Sequence, residues 1–142
     1  MHVSTILARK GRDVVTLGPN ATVGQAVTLL AENKIGVLVI STDGRSIRGI
    51  LSERDIVRAM AEHSAIADLS VSDLMTRDVV TCKPHDTLAE LMSLMTERRI
   101  RHLPVVEGDR LAGIVSIGDV VKFRLAEIED EAEALRLYVA QA

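Results

Sequence analysis

The chain carries one pattern twice, and a duplicated unit of this size constrains the fold more than any single motif. Asp13, Val14, Val15, Thr16, Pro19 and Thr22 recur as Asp78, Val79, Val80, Thr81, Pro84 and Thr87, an offset of 65 residues (Asp13 to Asp78). The same offset relates Leu29 to Leu94, Glu32 to Glu97, Ile35 to Ile100 and Leu38 to Leu103. One residue is then lost in a turn. At an offset of 64, Gly44, Gly49, Ile50, Ser52, Asp55 and Val57 recur as Gly108, Gly113, Ile114, Ser116, Asp119 and Val121. A repeat too small to bury its own apolar face pairs with its copy. A cleft between two such copies is a natural ligand site.

Each half reads as strand, helix, strand, strand, helix. In the first, 14–17 is a short strand ended by Gly18-Pro19. Thr22-Val-Gly-Gln25 is a capping box, in which the Thr hydroxyl takes a free amide and Gln25 reaches back. Val23, Ala26, Val27, Leu30 and Ala31 follow at helical spacing until Gly36 breaks the helix. Residues 37–40 are apolar on both faces, as in a buried strand. Residues 42–45 are turn chemistry, 47–51 form the next strand, and Ser52 opens a helix to about Glu62. The second half repeats the plan, with a capping box at Thr87-Glu90, strands at 103–106 and 111–115, and a helix from Ser116. The expected class is α/β (α+β): two pseudo-symmetric β-α-β-β-α repeats packed through their sheets, with an extended C-terminal helix. In that helix Val121, Leu125, Ile128, Ala132, Leu135 and Val139 step by 4, 3, 4, 3 and 4, a heptad seam. The seam suits packing back on the module or pairing with a partner.

Composition removes several function classes. A net charge of −3 gives no electrostatic case for nucleic acid or an anionic membrane. Phe123 and Tyr138 are the only aromatics, so stacking platforms for single strands are missing and a bound purine must lie between aliphatic side chains. Cys82 is the single cysteine, which excludes an internal disulfide and a CxxC metal site. No apolar run approaches membrane-spanning length, and residues 1–13 lack a signal-like apolar core, so a cytoplasmic location is expected. His2, His63 and His85 lack metal-ligand spacing and read as surface histidines. Met60, Met75, Met92 and Met95 read as core filler, and Cys82 as a buried or edge thiol.

The chemistry sits in two copies of Gly-Ile-x-Ser-x-x-Asp, at 49–55 and 113–119. Each lies where a strand meets a helix N-terminus, where free amides and the positive dipole end favour phosphate. A Ser hydroxyl donates to phosphate oxygen, and a carboxylate three residues on accepts from both hydroxyls of a ribose. Ser-x-x-Asp is also a relative of the capping box, and a structural repeat copies its caps. On the residues alone both readings stand.

Both halves resemble CBS domains, and the chain resembles a tandem CBS pair (a Bateman module) of the stand-alone kind. The carriers are the Asp-Val-Val-Thr…Pro…Thr opening of each half, the segment Arg98-Arg99-Ile100-Arg101-His102-Leu103-Pro104-Val105-Val106, and the two Gly-Ile-x-Ser-x-x-Asp ends. On this resemblance 7–62 is the first repeat, 63–71 a linker, 72–130 the second repeat, and 131–142 a C-terminal helical extension. It implies a non-catalytic sensor that holds AMP, ADP, ATP, NAD(H) or S-adenosylmethionine in the cleft and modulates a partner. No cofactor is required for chemistry. The alternative is a ligand-free structural or oligomerisation module. No nucleophile, base and orienter constellation argues for an enzyme.

The resemblance also implies site residues. Asp55 and Asp119 would hold ribose, and Ser52 and Ser116 would contact phosphate or ribose. The starts of the second strands, Ile35-Gly36-Val37 and Ile100-Arg101-His102, would line the adenine pocket. The lead-in of each half would close the opposite motif's pocket, 7–12 facing Asp119 and 72–77 facing Asp55. The second-repeat site is thus expected from Ile35, Gly36, Arg101, His102, Ile114, Ser116, Gly118 and Asp119, with Lys10 and Arg12. The first-repeat site is expected from Val37, Ile50, Ser52, Arg54, Asp55, Thr76, Arg77 and Ile100. With Arg101 and His102 assigned to Asp119, a phosphorylated ligand is expected to favour that cleft. A homodimer is expected, since apolar helix faces remain unpaired and isologous pairing is the commonest closure.

Overall fold

The computed structural model describes residues 1–141. Its elements run α1 (Val3–Lys10), β1 (Thr16–Leu17), α2 (Val23–Asn33), β2 (Val37–Ile40), β3 (Gly49–Ser52), α3 (Glu53–Glu62), α4 (Val71–Leu74), α5 (Leu88–Arg98), β4 (His102–Glu107), β5 (Arg110–Ser116) and α6 (Ile117–Gln141). In the first repeat β1 runs parallel to β2, and β2 antiparallel to β3. In the second, β4 pairs antiparallel with β5. The counterpart of β1 shrinks there to a single bridge, Cys82 to Val105, held by two backbone bonds of 3.0 and 2.8 Å. The mixed architecture and the long last helix follow the expected class.

The local signals set the helix limits. Thr22 and Gln25 close one capping box at 2.9 and 3.1 Å, and Thr87 and Glu90 close its copy at 3.2 Å in both directions. The C-terminal limit differs from expectation. Helix α2 ends at Lys34 and α5 at Arg99, each in the left-handed region at φ 54°. Gly36 is therefore not the breaker; the turn begins two residues earlier.

The two repeats exchange their lead-in helices. One core cluster joins Val23, Ala26, Leu38, Ile40 and Leu51 of the first repeat to Val71 and Met75. The other joins Leu88, Leu91, Met95, Leu103 and Val115 of the second repeat to Val3, Ile6 and Leu7 of α1. Each large aliphatic side chain buried this way contributes roughly 1.5–3 kcal/mol. The repeated glycines make room for the exchange. A Cβ at Gly49 would lie 2.7 Å from Met75 Sδ, and one at Gly113 would lie 2.6 Å from Leu7 Cδ2.

One expectation fails at the surface, and one left open is narrowed. Met60 is 63% exposed rather than core filler. In the heptad seam, Val121, Leu125, Ile128, Leu135 and Val139 all stay exposed, and α6 instead buries Val120 and Phe123. The seam does not pack back on the module. Cys82 is buried, and burial with the nearby Asp86 charge pushes its thiol up to about 12. Among the described residues, no helix is long and apolar enough to cross a membrane, and no cluster of His, Cys, Asp and Glu could hold a metal ion.

Candidate ligand-binding site

Both Gly-Ile-x-Ser-x-x-Asp segments form the same local structure. In the first, Ser52 N donates to Asp55 Oδ2 at 2.9 Å, and Asp55 N donates to Ser52 Oγ at 3.2 Å. In the second, the matching bonds between Ser116 and Asp119 are 2.9 and 3.1 Å. Both are capping boxes, so the structural role of these residues is real. The boxes use one carboxylate oxygen each. Asp55 Oδ1 remains for the cleft, 3.5 Å from the Thr76 hydroxyl.

Around Asp55 the structure opens a cavity of about 490 Å³, within the range of small-molecule sites. Gly36, Val37, Ile50, Ser52, Arg54, Asp55, Thr76 and Ile100 line it, as do Arg101 and His102. Gly36, Arg101 and His102 were expected at Asp119. The reason for the difference is the turn that follows α2 and the one that follows α5. Both turns, around Gly36 and around Arg101, lie on the boundary between the repeats and face the same cavity. A basic residue in the second repeat's turn therefore serves the first repeat's motif. The positive charge from which a preference for Asp119 was expected is thus on the Asp55 cavity as well.

Sequence reasoning missed several lining residues. Arg58 stands one helical turn beyond Arg54 on α3, a spacing that was legible. Arg98 and Arg99 belong to the basic run at the end of α5 but were not among the expected site residues. With Arg54, Arg58 and Arg101 they make five arginines on one cavity, against the carboxylates of Glu53, Asp55 and Asp78. Val79 and Val80 add aliphatic wall.

Other expected residues lie elsewhere. Arg77 turns back to donate to Ser72 O at 2.9 Å and is not among the lining residues. Arg12 reaches Glu107 at 3.4 Å on the surface rather than Asp119. Ile35 packs against the first core cluster. Gly118 is exposed in the first turn of α6.

The Asp119 cleft is arranged differently. Lys10 Nζ donates to Asp119 Oδ2 at 2.6 Å and to Ile114 O at 3.0 Å. Burial pushes the Asp119 carboxyl up, but the Lys10 ammonium and the Ser116 donors outweigh it and hold the group below the usual range. His102 is pushed below its usual value by burial first and then by Arg101 and Lys10. Both effects disfavour the charged form of the ring.

Comparison with known proteins gives a consistent picture. A family model described as CBS domain matches residues 3–62 and 71–126. The chain is similar to the crystal structure of a CBS-domain containing protein, ATU1752 from Agrobacterium tumefaciens, at 49% identity and a TM-score of 0.84, covering 87% of this chain and 99% of that one. It is similar to the CBS domain protein PAE2072 from Pyrobaculum aerophilum complexed with AMP, at 29% identity and a TM-score of 0.75, covering 84% and 89%. It is also similar to the CBS domain pair of protein MJ0100 in complex with 5′-methylthioadenosine and S-adenosyl-L-methionine, at 25% identity and a TM-score of 0.77, covering 87% and 98%.

Proposed function

The chain belongs to the CBS domain family, and from that premise we propose that it is a non-catalytic sensor module that binds a phosphorylated adenosine ligand at Asp55 and modulates a partner protein. The observation that carries this reading is the pairing of a cavity-facing carboxylate oxygen with five arginines in one cleft. The carboxylate suits ribose hydroxyls and the guanidinium groups suit phosphate. Ile50, Val37, Val79, Val80 and Ile100 offer aliphatic surface to a purine.

A ligand-free scaffold explains the caps but not the arginines. Five arginines against three carboxylates leave the cavity net positive, and an anion relieves that excess. Within adenosine ligands, the same charges favour AMP, ADP, ATP or NAD over S-adenosylmethionine, whose sulfonium is cationic. Thermal denaturation with AMP and with S-adenosylmethionine tests both choices. AMP at 100 times its Kd raises stability by about 2.7 kcal/mol. No response to any adenine nucleotide returns the protein to the scaffold reading, and a response to S-adenosylmethionine alone overturns the choice of ligand.

The module pairs with a second copy through α3 and α6. Val57 and Val121 occupy equivalent positions in the two repeats and are 65% and 38% exposed, with Met60 and Leu125 beside them. A pseudo-symmetric apolar face of this kind suits isologous closure. Light scattering at micromolar concentration tests it, and a monomer contradicts it.

A further inference from the structure

The two lead-in segments differ by three residues, and the difference falls on one cleft. Val3 and Val71 hold equivalent places: each donates its backbone amide to the residue before a capping threonine pair, Val3 to Asp86 O at 3.0 Å and Val71 to Ala21 O at 2.9 Å. Leu7 and Met75 are likewise equivalent, filling the spaces at Gly113 and Gly49. From these anchors, Val71 reaches Asp78 in seven residues, while Val3 needs ten to reach Asp13. The extra three extend α1 to Lys10, whereas α4 stops at Leu74.

In the first cleft the shorter lead-in leaves the helix at once. Thr76 is extended and pairs with Ile50 through both backbone groups, at 2.8 and 2.9 Å. Its hydroxyl stands at Asp55 Oδ1 and the cavity stays open. In the second cleft no such bridge forms. The Ile114 carbonyl, equivalent to that of Ile50, is taken by the Lys10 ammonium, which also takes the Asp119 carboxylate. Lys10 reaches both acceptors from its own lead-in helix with a side chain 35% exposed.

We infer that Lys10 is a built-in occupant of the second cleft, and that it limits the module to a single adenosine ligand per chain by holding the Asp119 carboxylate that a ribose would need. This rests on the reading of Asp55 and Asp119 as ribose acceptors. A neutral ribose hydroxyl is a weaker partner for the carboxylate than the ammonium that already holds it, so the exchange gives up a hydrogen bond between two charged groups. The extra turn of α1 is thus a stoichiometry device that the repeat alone does not reveal.

Calorimetric titration with AMP into wild type, Lys10→Met, Lys10→Ala and Lys10→Met/Asp119→Ala tests it. Methionine is chosen because it matches the length of lysine without the charge, and thermal melts check that each variant is folded. The expected result is one site in wild type, two in each single variant and one again in the double variant. Two sites in wild type overturn the inference, as does a single site in both folded Lys10 variants, or a second site that survives Asp119→Ala. Those outcomes leave the sensor reading intact. Absence of AMP heat in every protein overturns that reading and this inference together. A ligand-free measurement guards the premise: by carbon NMR the Asp119 carboxyl must titrate at higher pH in Lys10→Met than in wild type. Equal titration overturns the inference regardless of ligand.

Discussion

Asp55→Asn separates the two roles that one carboxylate plays. Oδ2 accepts from Ser52 N at 2.9 Å and from Ser52 Oγ at 3.1 Å, which is the capping role. Oδ1 stands at the cavity, 3.5 Å from the Thr76 hydroxyl. Asparagine can keep its amide oxygen in the Oδ2 place and so retain the cap. It then presents an NH₂ group where Oδ1 stood, and the charge is gone. A hydrogen bond to a charged group is worth roughly 1.5–3 kcal/mol. At about 1.4 kcal/mol per decade, AMP affinity should fall roughly tenfold to 150-fold. Stability should change little, because the Ser52 amide keeps its acceptor. Asp55→Ala should lose the same affinity and also about 1 kcal/mol of stability with the cap. Calorimetric titration with AMP and urea denaturation of both variants give the two numbers. If Asp55→Asn binds AMP as wild type does, the carboxylate is a cap only and the ribose argument is wrong.

Gly49→Ala and Gly113→Ala should each destabilise by about 1–3 kcal/mol, since the new methyl overlaps buried Met75 or Leu7. Urea melts of both variants check this, and unchanged midpoints would mean that the lead-in helices do not seat as described. The His102 ring should titrate below 6.5 in the free protein, because burial and the neighbouring cations disfavour its charged form. Bound AMP should move that titration upward, as phosphate favours the imidazolium. Any contribution of this depressed His to folding therefore favours the neutral form and weakens as pH falls through its unfolded value. Proton NMR of the ring with and without AMP reads both shifts, and a titration above 6.5 in the free protein refutes the burial argument.

Much of the fold was legible because repeats copy local chemistry. The capping boxes at Thr22 and Thr87, the paired glycines and the two Ser-x-x-Asp turns all follow from residue types at fixed spacing. What was not legible depends on how the repeats meet. Arg101 lies in the second repeat but lines the first repeat's cavity, and no spacing along one chain reports a crossing of that boundary. The counterpart of β1 in the second repeat has the same Val-Val-Thr residues, yet only Cys82 bridges, so propensity did not decide its length. Lys10 was placed near Asp119 in the sequence reading, as one more ligand contact. In the structure its ammonium lies 2.6 Å from the Asp119 carboxylate, a pairing that spacing along the chain does not report. The seam of α6 stays exposed, so its heptad period reports a helix and not a buried face.

The most direct test of the central claim is a crystal structure of the protein grown with AMP. The account predicts the ribose hydroxyls on Asp55, the purine against Ile50 and Val37, and the phosphate among Arg54, Arg58, Arg98, Arg99 and Arg101. AMP found only at Asp119, or only in the separate cavity of about 630 Å³ beside His2, Lys83 and His85, would contradict it.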